Sequence, residues 1–101
     1  MNYKINAKPD ETRVLLFDSL SFKDQQDFRK LVTEVMDGKP QRVTVDLTDV
    51  KTIDSAGLGL LVILNGQLTK AGGKVTLFRP NEAVARLLSI VQFDKLCTIE
   101  P

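Results

Sequence analysis

Residues 42–78 change their hydrophobic period twice, and this restricts the fold more than any other feature of the chain. Val43, Val45 and Leu47 alternate with Thr44 and Asp46, the period of a strand with one buried face, and the β-branched content favours a central strand over Arg42 to Thr48. From Ser55 onward Leu58, Leu61, Val62, Leu68 and Ala71 share one helical face, and Gly72-Gly73 ends the run. Lys74 to Phe78 then reads as strand again. A helix of that length between two strands is a crossover, so the strands lie parallel and the connection is right-handed.

The flanking segments extend the same plan. Tyr3, Ile5 and Ala7 alternate with polar residues, Lys8-Pro9-Asp10-Glu11 supplies a turn, and Val14 to Phe17 returns as an antiparallel hairpin partner. Ser21 stands three residues before Asp24, a capping-box spacing, ahead of an amphipathic helix carrying Phe28, Leu31, Val32, Val35 and Met36. Asp37-Gly38-Lys39-Pro40 closes that helix, with Gly38 suited to the left-handed C-terminal position. Asn81 reads as the N-cap of a third helix with Val84, Leu87, Leu88 and Val91 inward, and Leu96 to Ile99 as a last short strand. The order β-β-α-β-α-β-α-β predicts one α/β domain over residues 1–101 with a mixed, mostly parallel sheet. At 101 residues and 43% hydrophobic, the chain suits one core, with no repeat or interdomain linker.

Composition then removes whole classes of function. Histidine is absent and Cys97 is the only cysteine, so His-based catalytic triads, His or Cys zinc sites and a disulfide framework are all excluded. Basic and acidic residues number 8 and 9 in residues 1–50 and 6 and 4 in residues 51–101, with no basic cluster beyond Arg29-Lys30. A nucleic-acid partner is therefore not expected, because phosphate neutralisation needs a basic face. The longest apolar stretch, Leu58 to Leu64, is too short to span a bilayer, and no export signal precedes it. A cytoplasmic location follows as the expectation, with Cys97 an inert buried thiol.

The join between the central strand and the second helix, Asp46 to Gly59, is where a site is expected, since the carboxyl ends of parallel strands and the following helix N-termini form the usual functional edge. Ser55 lies at or next to the helix N-cap, and Gly57 and Gly59 leave the first turn uncovered. From the residues alone two readings stay open. Ser55 is a cap and the glycines close packing, which is the commoner arrangement, or the bare turn is a surface for another molecule. Helical dihedrals at both glycines would make alanine there neutral or stabilising. No phosphate loop is present, because Gly57-Leu58-Gly59 runs into Leu60-Leu61-Val62 and matches neither nucleotide fingerprint. Hydrolase chemistry lacks a base for Ser55. An aspartate-phosphorylated receiver lacks its acidic pair after the first strand, since Asp10-Glu11 lies in the hairpin turn.

The run Ile53-Asp54-Ser55-Ala56-Gly57-Leu58-Gly59, preceded by Val43-Thr44-Val45-Asp46-Leu47-Thr48, resembles the signature of STAS domains in bacterial anti-sigma factor antagonists. The likeness in length and element order covers nearly the whole chain. It implies a binding module without enzymatic activity, metal or cofactor, in which Ser55 is phosphorylated by a partner serine kinase, often the anti-sigma factor itself. A serine phosphatase restores the unmodified, binding form. The resemblance places partner contacts at Ser21, Asp54, Ala56, Gly57, Leu58 and Gly59. Where many family members have Gly at the end of the second strand, Asp three residues later and a second hydroxyl after the target serine, this chain has Asp18, Ser21 and Ala56. An accessory STAS subunit of a regulatory, stress-sensing or transport assembly is the alternative expectation.

Overall fold

The computed structural model describes residues 1–101. Strands β1 (Tyr3–Ala7) and β2 (Thr12–Leu20) form the antiparallel hairpin, and a 3-10 turn over Phe22–Asp24 leads into helix α1 (Gln25–Asp37). Strand β3 (Arg42–Ile53), helix α2 (Ser55–Lys70), strand β4 (Lys74–Phe78), helix α3 (Glu82–Ile90), a 3-10 turn over Phe93–Lys95 and strand β5 (Thr98–Glu100) complete the chain. The five strands lie in sequence order in one sheet, β2 to β5 all parallel. Three right-handed crossovers that step the same way across a sheet put α1, α2 and α3 on one face. Burial agrees: Val14, Leu16, Val43, Val45, Leu47, Val75 and Leu77 are buried on that face, while Arg13, Thr44, Asp46, Thr76 and Phe78 on the other are only half-buried.

Twenty-two buried apolar residues make a single core between sheet and helices. Each fully buried leucine in it contributes about 1.5–3 kcal/mol relative to exposure. From α2 come Leu58, Leu60, Leu61, Leu64 and Leu68, whereas Val62, expected inward, is 45% exposed and Ala71 is exposed. The helix is apolar almost all round, so its periodicity alone misassigns the side facing solvent. Val91, expected inside, is 47% exposed because α3 ends at Ile90 and the chain turns away through Gln92 at φ 59°.

Other differences from the sequence expectation have local causes. Gly38 keeps a right-handed helical conformation and Lys39 takes the positive φ of 49° that was expected at the glycine. Gly72 does adopt φ 87°, the left-handed stop after α2. Strand β3 continues five residues past Thr48, because two register shifts against β2, between Leu15 and Phe17 and between Asp18 and Ser19, let Leu47, Val50 and Ile53 all face the core. The last strand begins at Thr98, two residues later than expected, so Cys97 lies before it and is half-buried. Burial pushes its thiol up to about 11, which keeps it protonated and unreactive near neutral pH.

Candidate functional site

The carboxyl edge of the sheet is where β2 and β3 end together, with Leu20 paired to Ile53. One residue later each chain turns into a helical element, and Asp54 joins the two turns. Its backbone N–H donates to the Leu20 carbonyl at 3.2 Å. Its carboxylate accepts from the Gly57 N–H at 2.7 Å through Oδ1 and from the Phe22 N–H at 3.3 Å through Oδ2. Asp54 is thus the N-cap of α2, and both of its oxygens are engaged by backbone amides.

That arrangement changes the reading of Ser55. The serine occupies the first helical position, is exposed, and is not the cap. A carboxylate is already doing what a capping hydroxyl would do, which leaves the Ser55 side chain to solvent. The Ser55 and Ala56 amides, at the first two helical positions, have no intrahelical acceptor and point out of the same end. No acidic residue lies in the first turn of α2, so the positive end of the helix dipole meets no carboxylate inside the helix itself.

The two glycines separate in role. A Cβ on Gly57 would run into the Leu20 carbonyl oxygen, with the Leu20 carbonyl carbon at 2.8 Å and Ile53 Cγ2 at 3.0 Å. Gly57 is therefore bare so that α2 can press against the end of β2, and alanine there cannot be neutral as helix propensity alone implied. A Cβ on Gly59 meets nothing within 4 Å. Of the residues expected at a partner surface, Ser55 and Gly59 are exposed and Ala56 is half-buried, while Gly57 and Leu58 lie inside, Leu58 with 9% exposure. Leu58 packs into the core because it falls on the sheet-facing side of α2.

Ser21 is half-buried and tied to its own turn: its backbone N–H and hydroxyl both donate to the Asp24 Oδ2 atom, at 2.8 and 3.3 Å. This is the 3-10 turn that hands β2 over to α1. Asp18 has φ 67°, a left-handed conformation that favours glycine and that a short polar side chain tolerates. A glycine at this place, as the resemblance implies for many family members, would meet the same conformational demand that this chain meets with aspartate. Phe22 was not singled out by the sequence reading. It is 69% exposed, its amide is held by Asp54, and with Val62 at 45% and Ile63 at 43% it adds apolar surface to the neighbourhood of Ser55 and α2. The only signal for it in the sequence is a large aromatic directly after a capping serine.

No group of three or more His, Cys, Asp or Glu is placed to hold a metal ion. No helix is long and apolar enough to cross a membrane. What the edge offers is a rigid platform with one free hydroxyl, two free amides and an apolar margin, which are the elements of a recognition surface.

Residues 4–101 match the STAS domain family, and the chain belongs to it. Within that family, a Thermotoga neapolitana protein described as a candidate anti-sigma factor antagonist is 36% identical over 73 residues, 71% of this chain and 65% of the relative. The match thus spans slightly less than two thirds of that protein's length. The crystal structure of a candidate anti-sigma factor antagonist from Thermotoga maritima superimposes with a TM-score of 0.89 at 26% identity, covering 98% of this chain and 86% of the other. The Bacillus anti-sigma factor antagonist SpoIIAA in its unphosphorylated form gives 0.81 at 17% identity over 97% of this chain and 87% of its own. A sulfate transporter family protein from Wolinella succinogenes gives 0.80 at 13% identity, over 94% of this chain and 80% of the other. These last two likenesses are likenesses of fold.

Proposed function

We propose that the protein is a non-enzymatic binding module switched by phosphorylation of Ser55. Unmodified, it binds a partner serine kinase of the anti-sigma type, and the modified form is released and restored by a serine phosphatase. The observation that carries the reading is the free Ser55 hydroxyl at the first position of α2, beside a cap supplied by another residue. Modification at that position adds charge to the helix start and leaves the Asp54 cap in place.

Electrostatics supports both halves of the switch. A phosphoserine brings about −1.5 to −2 charges at pH 7, and the free first-turn amides and helix dipole of α2 receive them without refolding. The same charge then stands next to Asp54, on a surface that a partner covers closely. Desolvating two adjacent anions opposes binding by several kcal/mol unless the partner supplies countercharge. Candidate contacts are Ser55, Ala56 and Gly59 with the exposed Phe22 and Val62, and Asp54 acts by holding the Phe22 and Gly57 amides.

The test is partner binding by Ser55→Ala and Ser55→Glu, alongside intact-mass measurement after expression with the native kinase. Constitutive binding by the first variant and weakened binding by the second are expected. The alternative, an accessory STAS subunit of a transport or stress-sensing assembly, takes its support from the transporter-like fold match. It predicts a domain that is never modified and binds equally in all three forms.

A further inference from the structure

Pairing between β3 and β4 ends at Asp46 and Phe78. β3 runs on to Ile53 with β2 as its only neighbouring strand, in the stretch that holds both register shifts and leads into Asp54 and Ser55. Carbonyl groups on the uncovered edge must face water or find a donor elsewhere. Two of them share one donor. The Asn81 Nδ2 atom donates to the Val50 and Lys51 carbonyl oxygens, each at 3.1 Å. The same side chain caps α3, its Oδ1 accepting from the Val84 N–H at 2.8 Å.

Capping alone does not call for asparagine. Ser, Thr and Asp satisfy a helix amide comparably well, but an amide side chain also has two N–H donors. Asn81 uses its acceptor on its own helix and its donor group on carbonyls 31 and 30 residues away. It stands where a longer β4 would have stood, and it grips β3 beside Lys51, the residue skipped between Val50 and Thr52 in the second register shift. An extra residue in a bulge that is held on one side only is free to relax toward regular pairing, and a one-residue slip turns every following side chain to the opposite face.

We infer that Asn81 is a positioning residue for Ser55: its amide pins the second bulge of β3 and so sets the direction in which Asp54 and Ser55 enter α2. The functional weight of this inference rests on Ser55 being the modified residue, but its test needs no kinase. Asn81→Asp keeps an acceptor for the Val84 amide and has no donor, and Asn81→Ser keeps an acceptor on a shorter side chain without the N–H₂ group that reaches both β3 carbonyls. In the full chain, amide exchange read by mass spectrometry should become about tenfold faster over residues 50–57 in both variants, while the amides of α3 keep the parent rates. A second readout follows position rather than stability. In a Cys97→Ser background, Ser55→Cys places a thiol at the helix N-terminus, and the pH profile of its alkylation by iodoacetamide should move toward that of an ordinary free thiol when Asn81 is also replaced. Parent-like exchange over residues 50–57 with an unmoved alkylation profile overturns the inference. So does acceleration of α3 by the same factor, which would make Asn81 a cap and nothing more. If Ser55 of the parent is never phosphorylated the proposed switch fails, and these two measurements still decide what Asn81 does.

Discussion

Helices α2 and α3 start at the same edge of the sheet with the same device, share alanine at the second helical position, and diverge at the first and third. Asp54 accepts from the Gly57 amide at 2.7 Å, and Asn81 accepts from the Val84 amide at 2.8 Å. At the third helical position α3 carries Val84, 2% exposed, which fills its own space against the core. α2 has Gly57 there, because the Leu20 backbone occupies that space. At the first position α3 has the acidic Glu82, favourable at a helix N-terminus, and α2 has Ser55 with no acid in its first turn. An ordinary helix start is thus filled by a side chain and neutralised by a carboxylate. The start of α2 is pressed onto backbone, and its one carboxylate is the Asp54 cap, with none in the first turn. Phosphorylation of Ser55 would add first-turn charge of the kind Glu82 gives α3, beside the carboxylate that already caps α2.

The sharpest way to break this comparison is at the third position. Gly57→Ala should lower stability by about 2–3 kcal/mol, since the Leu20 carbonyl cannot move without disturbing β2. Thermal denaturation should show a loss of roughly 10–20 °C for a domain of this size. Gly59→Ala two positions on should be neutral or stabilising by up to about 1 kcal/mol. Equal melting temperatures for the two variants would mean that α2 is not seated on Leu20 as described.

Removing the caps gives a smaller effect that still tells the helices apart. Asp54→Ala should cost about 1–2 kcal/mol in chemical denaturation and also free the Phe22 amide, whereas Asp54→Asn should recover most of the cap and not the Phe22 bond. Amide exchange at Phe22 separates the two losses. An unchanged rate at Phe22 in both variants would detach the β2–α1 turn from the site.

The smallest expected effects are at the first position, and they run in opposite directions. Ser55→Glu should leave the melting temperature unchanged or raise stability by about 0.3–1 kcal/mol, and Glu82→Ser should lower it by a similar amount. Both differences should shrink in high salt. A clear destabilisation by Ser55→Glu would show that the α2 terminus does not accept a second anion beside Asp54.

Most of the element order was readable from periodicity, because strands β1 and β4 and helix α1 keep one period from end to end. The site itself was less so. Leu47, Val50 and Ile53 repeat every three residues, a spacing that belongs to neither strand nor helix until two bulges are allowed for, so β3 was ended at Thr48. The Ile53 to Gly59 run identified the segment, but it could not say whether Asp54 or Ser55 was the cap, since both types serve. Nor could it tell that Gly57 faces backbone and Gly59 faces solvent, because that depends on Leu20, thirty-seven positions away by number and adjacent only in the fold. Asn81 was legible as a cap through its acceptor, while its donor acts across the sheet edge on a strand that sequence order does not place beside it.

The central claim is that a charge on Ser55 switches binding without altering the fold. It is tested most directly by titrating the native kinase partner with the phosphorylated and unphosphorylated chain, after intact mass has confirmed one phosphate on the parent and none on Ser55→Ala. The account predicts at least about a tenfold loss of affinity on phosphorylation, equivalent to about 1.4 kcal/mol, with the melting temperature of the domain preserved. Equal affinity of the two forms, or a phosphate carried equally by Ser55→Ala, would contradict it.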